Sequence, residues 1–108
     1  MELHDKANHC HKNCGVAKTL KIIGSKWTML ILHNLFEGSK RFGELQRSLE
    51  GISPKTLSTR LTELEDEEII NRKVFAEVPL HVEYSLTAKG RSLKEVFDQM
   101  ASWGEHRV

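Results

Sequence analysis

No stretch of this chain approaches the roughly 18 consecutive apolar residues that a membrane-spanning helix needs. The first residues, Met1-Glu2-Leu3-His4-Asp5, lack the charged-then-apolar layout of a signal peptide. A cytoplasmic protein is therefore expected, in a compartment that keeps thiols reduced. The sequence has no Gly-rich loop to cradle a phosphate and no carboxylate pair assignable to a cleft. Nor has it a nucleophile–base pair with an oxyanion site behind it. Those absences argue against an enzyme, and no cofactor is called for. Charge of one sign is scarce too: 16 Lys and Arg against 15 Asp and Glu leave a formal net charge of +1. The chain is thus not a general polycation. Internal repeats and low-complexity linkers are also missing. What remains, at 108 residues with 39% hydrophobic and 29% charged, suits one small domain with a single modest core.

The basic character is local. Between Ser39 and Arg60 stand Lys40, Arg41, Arg47, Lys55 and Arg60, against Glu44 and Glu50 alone. Within this region Phe42, Leu45 and Leu49 recur at helical spacing, predicting a short helix over about 41–49. Gly51 interrupts it. Ser53 is a good N-cap, and Pro54 falls at the first helical position, where its missing N–H costs nothing. Leu57, Leu61 and Leu64 then form one stripe to be buried. Lys55, Thr59 and Thr62 point away from that stripe, Thr56 and Ser58 flank them, and Arg60 lies nearer the rim. Acids gather at the far end, from Glu63 to Glu68. Two short helices around a tight turn, the second basic at its N-terminal half, read as a helix-turn-helix over about 41–66 that faces double-stranded DNA. An amphipathic helix with a merely solvated face fits the same spacing.

Next come Ile69 and Ile70, then Asn71 to Phe75, a Pro-containing connection, and His81 to Leu86. Val82, Tyr84 and Leu86 alternate with polar residues, as a half-buried strand requires. The pair predicts an antiparallel hairpin over about 69–87, the wing of a winged helix. Arg72, Lys73 and His81 are its candidate phosphate or minor-groove contacts. Solvated edge-strand cations are the plain alternative for Arg72 and Lys73. The fold class expected is mainly α with a small β-hairpin. Residues 1–14 stand as a Cys/His segment ahead of a single domain over 15–108.

Several pieces in order carry a resemblance: Cys14, then Leu20 to Trp27, Arg41-Phe42-Gly43-Glu44-Leu45, Gly51-Ile52-Ser53, Arg60 to Glu65, Val82 to Thr87, Gly90 to Leu93, and Trp103-Gly104. Together they resemble the HxlR-type winged helix-turn-helix regulators, relatives of the MarR group, from Cys14 to Trp103. The resemblance implies a homodimer held by terminal helices and control of a nearby promoter. It also implies, for several members, sensing of oxidants or electrophiles through a cysteine at the position of Cys14. This chain departs from the pattern in four places. Ser25 replaces a common second Gly, and Gly15 replaces a Pro after the cysteine. Glu67-Glu68 stands where an Asp-Gly-like pair ends the recognition helix. Leu80-His81 stands where the wing usually has Pro-Arg.

The flanking segments supply the expected dimer surface. Val16, Leu20 and Ile23 share one helical face, and the segment from Trp27 to Phe36 is apolar almost all round, as a central helix is. Thr87 can cap a helix over about 88–104 with the stripe Leu93, Val96, Phe97, Met100 and Trp103. In a chain this small, Leu20 and Ile23 with that stripe would meet a second copy.

The remaining chemistry sits in His4, His9, Cys10, His11 and Cys14. Cys14 directly precedes a predicted helix whose unpaired N–H groups stabilise a thiolate, with Lys12 and Lys18 nearby. Cys10 and Cys14 are the redox candidates. Cys10, Cys14 and a His could instead hold a soft metal, although a second ligand cluster is missing and no metal site is assigned. Cys14 as a small apolar residue beside a frayed tail is the third reading. A winged helix that binds protein rather than DNA also stays open.

Overall fold

Capped helices open the described part of the chain, residues 14–108 of a computed structural model. Helix α1 spans Gly15–Ile23, and the Cys14 sulfur accepts the Ala17 N–H at 3.3 Å as its N-cap. Helix α2 spans Lys26–Leu35, capped by the Ser25 hydroxyl, which accepts the Thr28 N–H at 3.0 Å. Between them the chain turns at Gly24, where an added Cβ would lie 2.3 Å from the Leu20 carbonyl oxygen. Only glycine fits this closely against the last turn of α1.

A two-residue strand, β1 (Lys40–Arg41), leads into α3 (Phe42–Ser48), a turn through Gly51, and α4 (Pro54–Asp66). Strands β2 (Ile70–Phe75) and β3 (His81–Leu86) follow, then α5 (Ala88–Arg91) and α6 (Lys94–Arg107). The three strands form one antiparallel sheet in the order β1-β3-β2. The hairpin register runs from Ile70↔Leu86 to Phe75↔His81.

The core gathers one face from each element. Leu57, Leu61 and Leu64 of α4 meet Ile31, Leu32 and Leu35 of α2, with Leu45, Ile69, Ile70, Tyr84 and Leu86 closing round them. Each fully buried leucine contributes about 2 kcal/mol of hydrophobic stabilisation. The result is the anticipated winged helix-turn-helix, mostly helical with a small sheet. Among the described residues no helix is long and apolar enough to cross a membrane.

Two elements differ from the sequence expectation. Arg41 caps α3 near the expected start and also lies in β1, an unexpected third strand paired through Lys40↔Tyr84 and Arg41↔Glu83. A two-residue strand has no period to read, and its partners are remote in sequence. The helix expected over 88–104 is also two helices, because the chain tightens at Ser92 and Leu93 before α6 continues to Arg107.

Candidate nucleic-acid interface

The local chemistry of α4 sets its outward face. The Ser53 hydroxyl accepts the Thr56 N–H at 3.1 Å and donates to Thr56 Oγ1 at 2.9 Å, with Pro54 at the first helical position. Burial of the leucine stripe leaves Lys55, Ser58, Thr59 and Thr62 exposed on the other side. Among the described residues no ion pair engages Lys55. No acid appears on α4 before Glu63. The face is therefore small, hydroxyl-rich and cationic at the end where a recognition helix contacts bases. Thr56 is half-buried and its hydroxyl serves the cap, so it belongs to the helix start more than to the open face.

Arg60 lies at the rim of that face, as its helical angle predicts, with its charge paired. Its side chain is 32% exposed, its Nη1 donates to Glu63 Oε1 at 2.9 Å, and its Nε is buried without a partner. It lies roughly 65° from the leucine stripe, on the helix flank rather than opposite the core. There it lines a groove of about 500 Å³ with Gly24, Ser25 and Thr28 from the α1–α2 corner. Its charge is already matched by a carboxylate.

The far end of α4 is a left-handed turn. Glu68 has φ 61°, the Ile69 N–H reaches the Leu64 carbonyl at 2.9 Å, and the Glu68 N–H reaches Glu65 at 3.0 Å. These are the two bonds of a Schellman motif, and buried Leu64 and Ile69 supply its apolar contact.

The wing divides its cations. Arg72 and Lys73 are both exposed, but consecutive strand residues point to opposite faces. Arg72 pairs in register with Tyr84 on the core side. Lys73 shares the outer face with Phe75, its Nζ 4.9 Å from the ring centroid. The two therefore cannot grip one phosphate together. His81 departs from its expected contact. Its ring stacks on Phe75 with centroids 4.7 Å apart, Nε2 is 3.2 Å from Glu83 Oε2, and Nδ1 is 3.8 Å from Glu77 Oε1. With 14% of the side chain exposed, His81 holds the wing together rather than reaching outward. The tip beyond it, Ala76 to Leu80, is exposed and carries Glu77 but no cation. Arg41 is exposed beside α3, whose Glu44 carboxylate accepts the Arg41 backbone N–H at 2.8 Å.

A second surface is apolar. Leu20 (57% exposed), Val96, Met100 and Trp103 (61%) lie open on α1 and α6. Val16 joins them, a residue whose helical spacing from Leu20 signalled it. Other members of the expected dimer surface are spent within the subunit: Ile23 is 3% exposed, and Leu93 and Phe97 pack against the core. Phe97 meets Phe36 edge to face at 5.2 Å.

Cys14 is half-buried at the head of α1. Cys10, with His4, His9 and His11, lies outside the described residues, and so does the soft-metal reading that depends on it. Among the described residues no group of three or more His, Cys, Asp or Glu is arranged to hold a metal ion.

Comparison with known proteins agrees with this geometry. A family model described as an HxlR-like helix-turn-helix matches residues 22–108. The HTH-type transcriptional regulator YtcD of Bacillus subtilis is 43% identical over 96 residues, covering 89% of this chain and 76% of its own. A MarR-family transcriptional regulator from Porphyromonas gingivalis W83 superposes with a TM-score of 0.85 at 37% identity, covering 91% of this chain and 96% of that one. The redox regulator HypR, solved in its oxidised form, superposes with a TM-score of 0.82 at 41% identity, covering 88% of this chain and 98% of that one.

Proposed function

The chain belongs to the HxlR-like helix-turn-helix family of transcriptional regulators, a non-enzymatic class, and from that premise we propose that it is a homodimeric, sequence-specific DNA-binding regulator of the cytoplasm. The observation that carries this reading is the outer face of α4, where Lys55, Ser58 and Thr59 stand exposed at the N-terminal half with every acid held to the far end. In a two-fold dimer, each α4 enters one of two successive major grooves. Lys55, Ser58 and Thr59 then read base edges and flanking phosphates, while Ser53 and the first amides of the helix fix it to the backbone. Arg41, Arg72 and Lys73 add phosphate contacts from separate directions. Thr56 and Arg60 act by shaping the helix, and His81 by shaping the wing.

The dimer forms where Val16, Leu20, Val96, Met100 and Trp103 leave apolar side chains open. Cys14 is the proposed point of control. Its sulfur caps α1, so a two-electron oxidant that takes the hydrogens of Cys14 and a second thiol and leaves them joined as a disulfide would withdraw that cap and shift a helix of the dimer surface. The similarity to a redox regulator supports this part of the reading.

The test is a gel shift with DNA from upstream of the chain's own gene. Lys55→Ala should weaken specific binding and reduce the slope of log affinity against log salt by about 1. Unchanged affinity and slope would show that α4 meets DNA through another face.

A further inference from the structure

The end of α4 and the start of the C-terminal helices share one corner, built on three consecutive carbonyls. The left-handed turn at Glu68 leaves the carbonyls of Glu67, Glu68 and Ile69 directed away from α4. Thr87 meets two of them. Its hydroxyl donates to the Glu68 carbonyl at 2.6 Å, with the Ile69 carbonyl 3.1 Å away. Its backbone N–H donates to the Ile69 carbonyl at 3.0 Å. Lys89 Nζ takes the third, the Glu67 carbonyl, at 3.0 Å. Gly90 then packs its backbone on the same turn, so closely that a Cβ there would lie 2.2 Å from the Ile69 oxygen.

The corner continues into α6 along helical bonds. The Leu93 N–H reaches the Gly90 carbonyl at 3.1 Å, and the Phe97 N–H reaches the Leu93 carbonyl at 3.0 Å. The start of α6 is tied down by its N-cap residue Leu93, packed against the core, and by Phe97 on Phe36. Val96, Met100 and Trp103 of the same helix are exposed. The other apolar helix bears on the same place. Ile22 and Ile23 of α1 face Ile69, Lys89 and Leu93 across a cavity of about 120 Å³.

Of the two helices that carry exposed apolar side chains, α1 therefore lies across a cavity from the turn that ends α4, and α6 follows directly on the residues bound to that turn. We propose that Thr87, Lys89 and Gly90 are positioning residues that lock the angle of α6 to the angle of α4. This rests on the regulator reading above. In the dimer, the corner sets how far apart the two recognition helices lie, and hence which half-site spacing the protein accepts. The three residues touch no DNA.

The experiment uses the full chain and DNA selected by the wild-type protein from a random pool, remade with its half-sites one base pair closer or farther apart. The wild type should lose about tenfold or more in affinity on either change, the scale of a coupled pair of contacts. Thr87→Val keeps the side-chain shape and removes the hydroxyl. It should narrow that discrimination to about threefold or less, and Thr87→Ser should restore it. Lys89→Met, at an exposed position, gives the same readout if Thr87→Val folds poorly. Equal loss at every spacing in both variants would mark a merely structural role and overturn the proposal, as would wild-type discrimination in both. A wild type that selects no DNA overturns the regulator reading itself, and the proposal with it.

Discussion

Glu68 holds a φ of 61°, a region that costs an L-residue other than glycine roughly 1–2 kcal/mol. The turn it makes satisfies two end carbonyls of α4 and aims three others at Thr87 and Lys89, so the conformation is kept despite the residue. Glu68→Gly should therefore raise stability by about 1 kcal/mol, or about 5 °C in Tm for a domain of this size. A thermal melt checks it, and an unchanged Tm would mean that the strain is relieved in some other way. The poor cap was visible in the sequence, because Glu stands where the resemblance expects a Gly-like residue. The partners of Arg60 and His81 were not. A residue on the flank of a helix turns according to its neighbours, and Arg60 turns to Glu63 and the α1–α2 corner. His81 is fixed by a cross-strand ring and by Glu77 and Glu83, which no helical or strand period reveals.

Elements whose beginnings are written in local chemistry were the legible ones. Ser53-Pro54 starts α4, and Thr87 starts α5, each through a hydroxyl accepting an N–H three residues on. Strand β1 was invisible because its existence depends on Tyr84 and Glu83, not on Lys40 and Arg41 alone. The break at Ser92–Leu93 was equally hidden, since the apolar stripe runs through it. Helix α1 starts differently, on the sulfur of Cys14, a weaker acceptor than a hydroxyl. Cys14→Ser should preserve the cap and leave the melting temperature within about 2 °C, a change of a few tenths of a kcal/mol. The same variant should abolish any change in DNA affinity caused by a disulfide-forming oxidant. A gel shift with and without the oxidant decides, and a response retained in full would remove Cys14 from the switch.

The molecule as a whole presents a cationic, hydroxyl-rich face on α4 and an apolar one along α1 and α6. Composition foretold neither, because a net charge of +1 averages over both. Placing a charge in the apolar face separates their roles. Met100→Asp should convert a dimer to a monomer in sedimentation and lower operator affinity by about a hundredfold, since two half-sites would no longer act as one. A variant that stays dimeric would put the subunit contact elsewhere.

The chain's two tryptophans divide between these regions. Trp27 is half-buried, with Lys26 Nζ 4.7 Å from its ring and its edge 4.0 Å from the Cβ position of Gly51, in the turn that leads to α4. Trp103 stands in solvent on α6. The protein thus carries two intrinsic fluorophores, one beside the proposed reading helix and one on the proposed subunit surface. Dilution should move the emission of Trp103 alone and DNA should perturb Trp27, so subunit dissociation and operator engagement can be followed as separate optical signals in unlabelled protein.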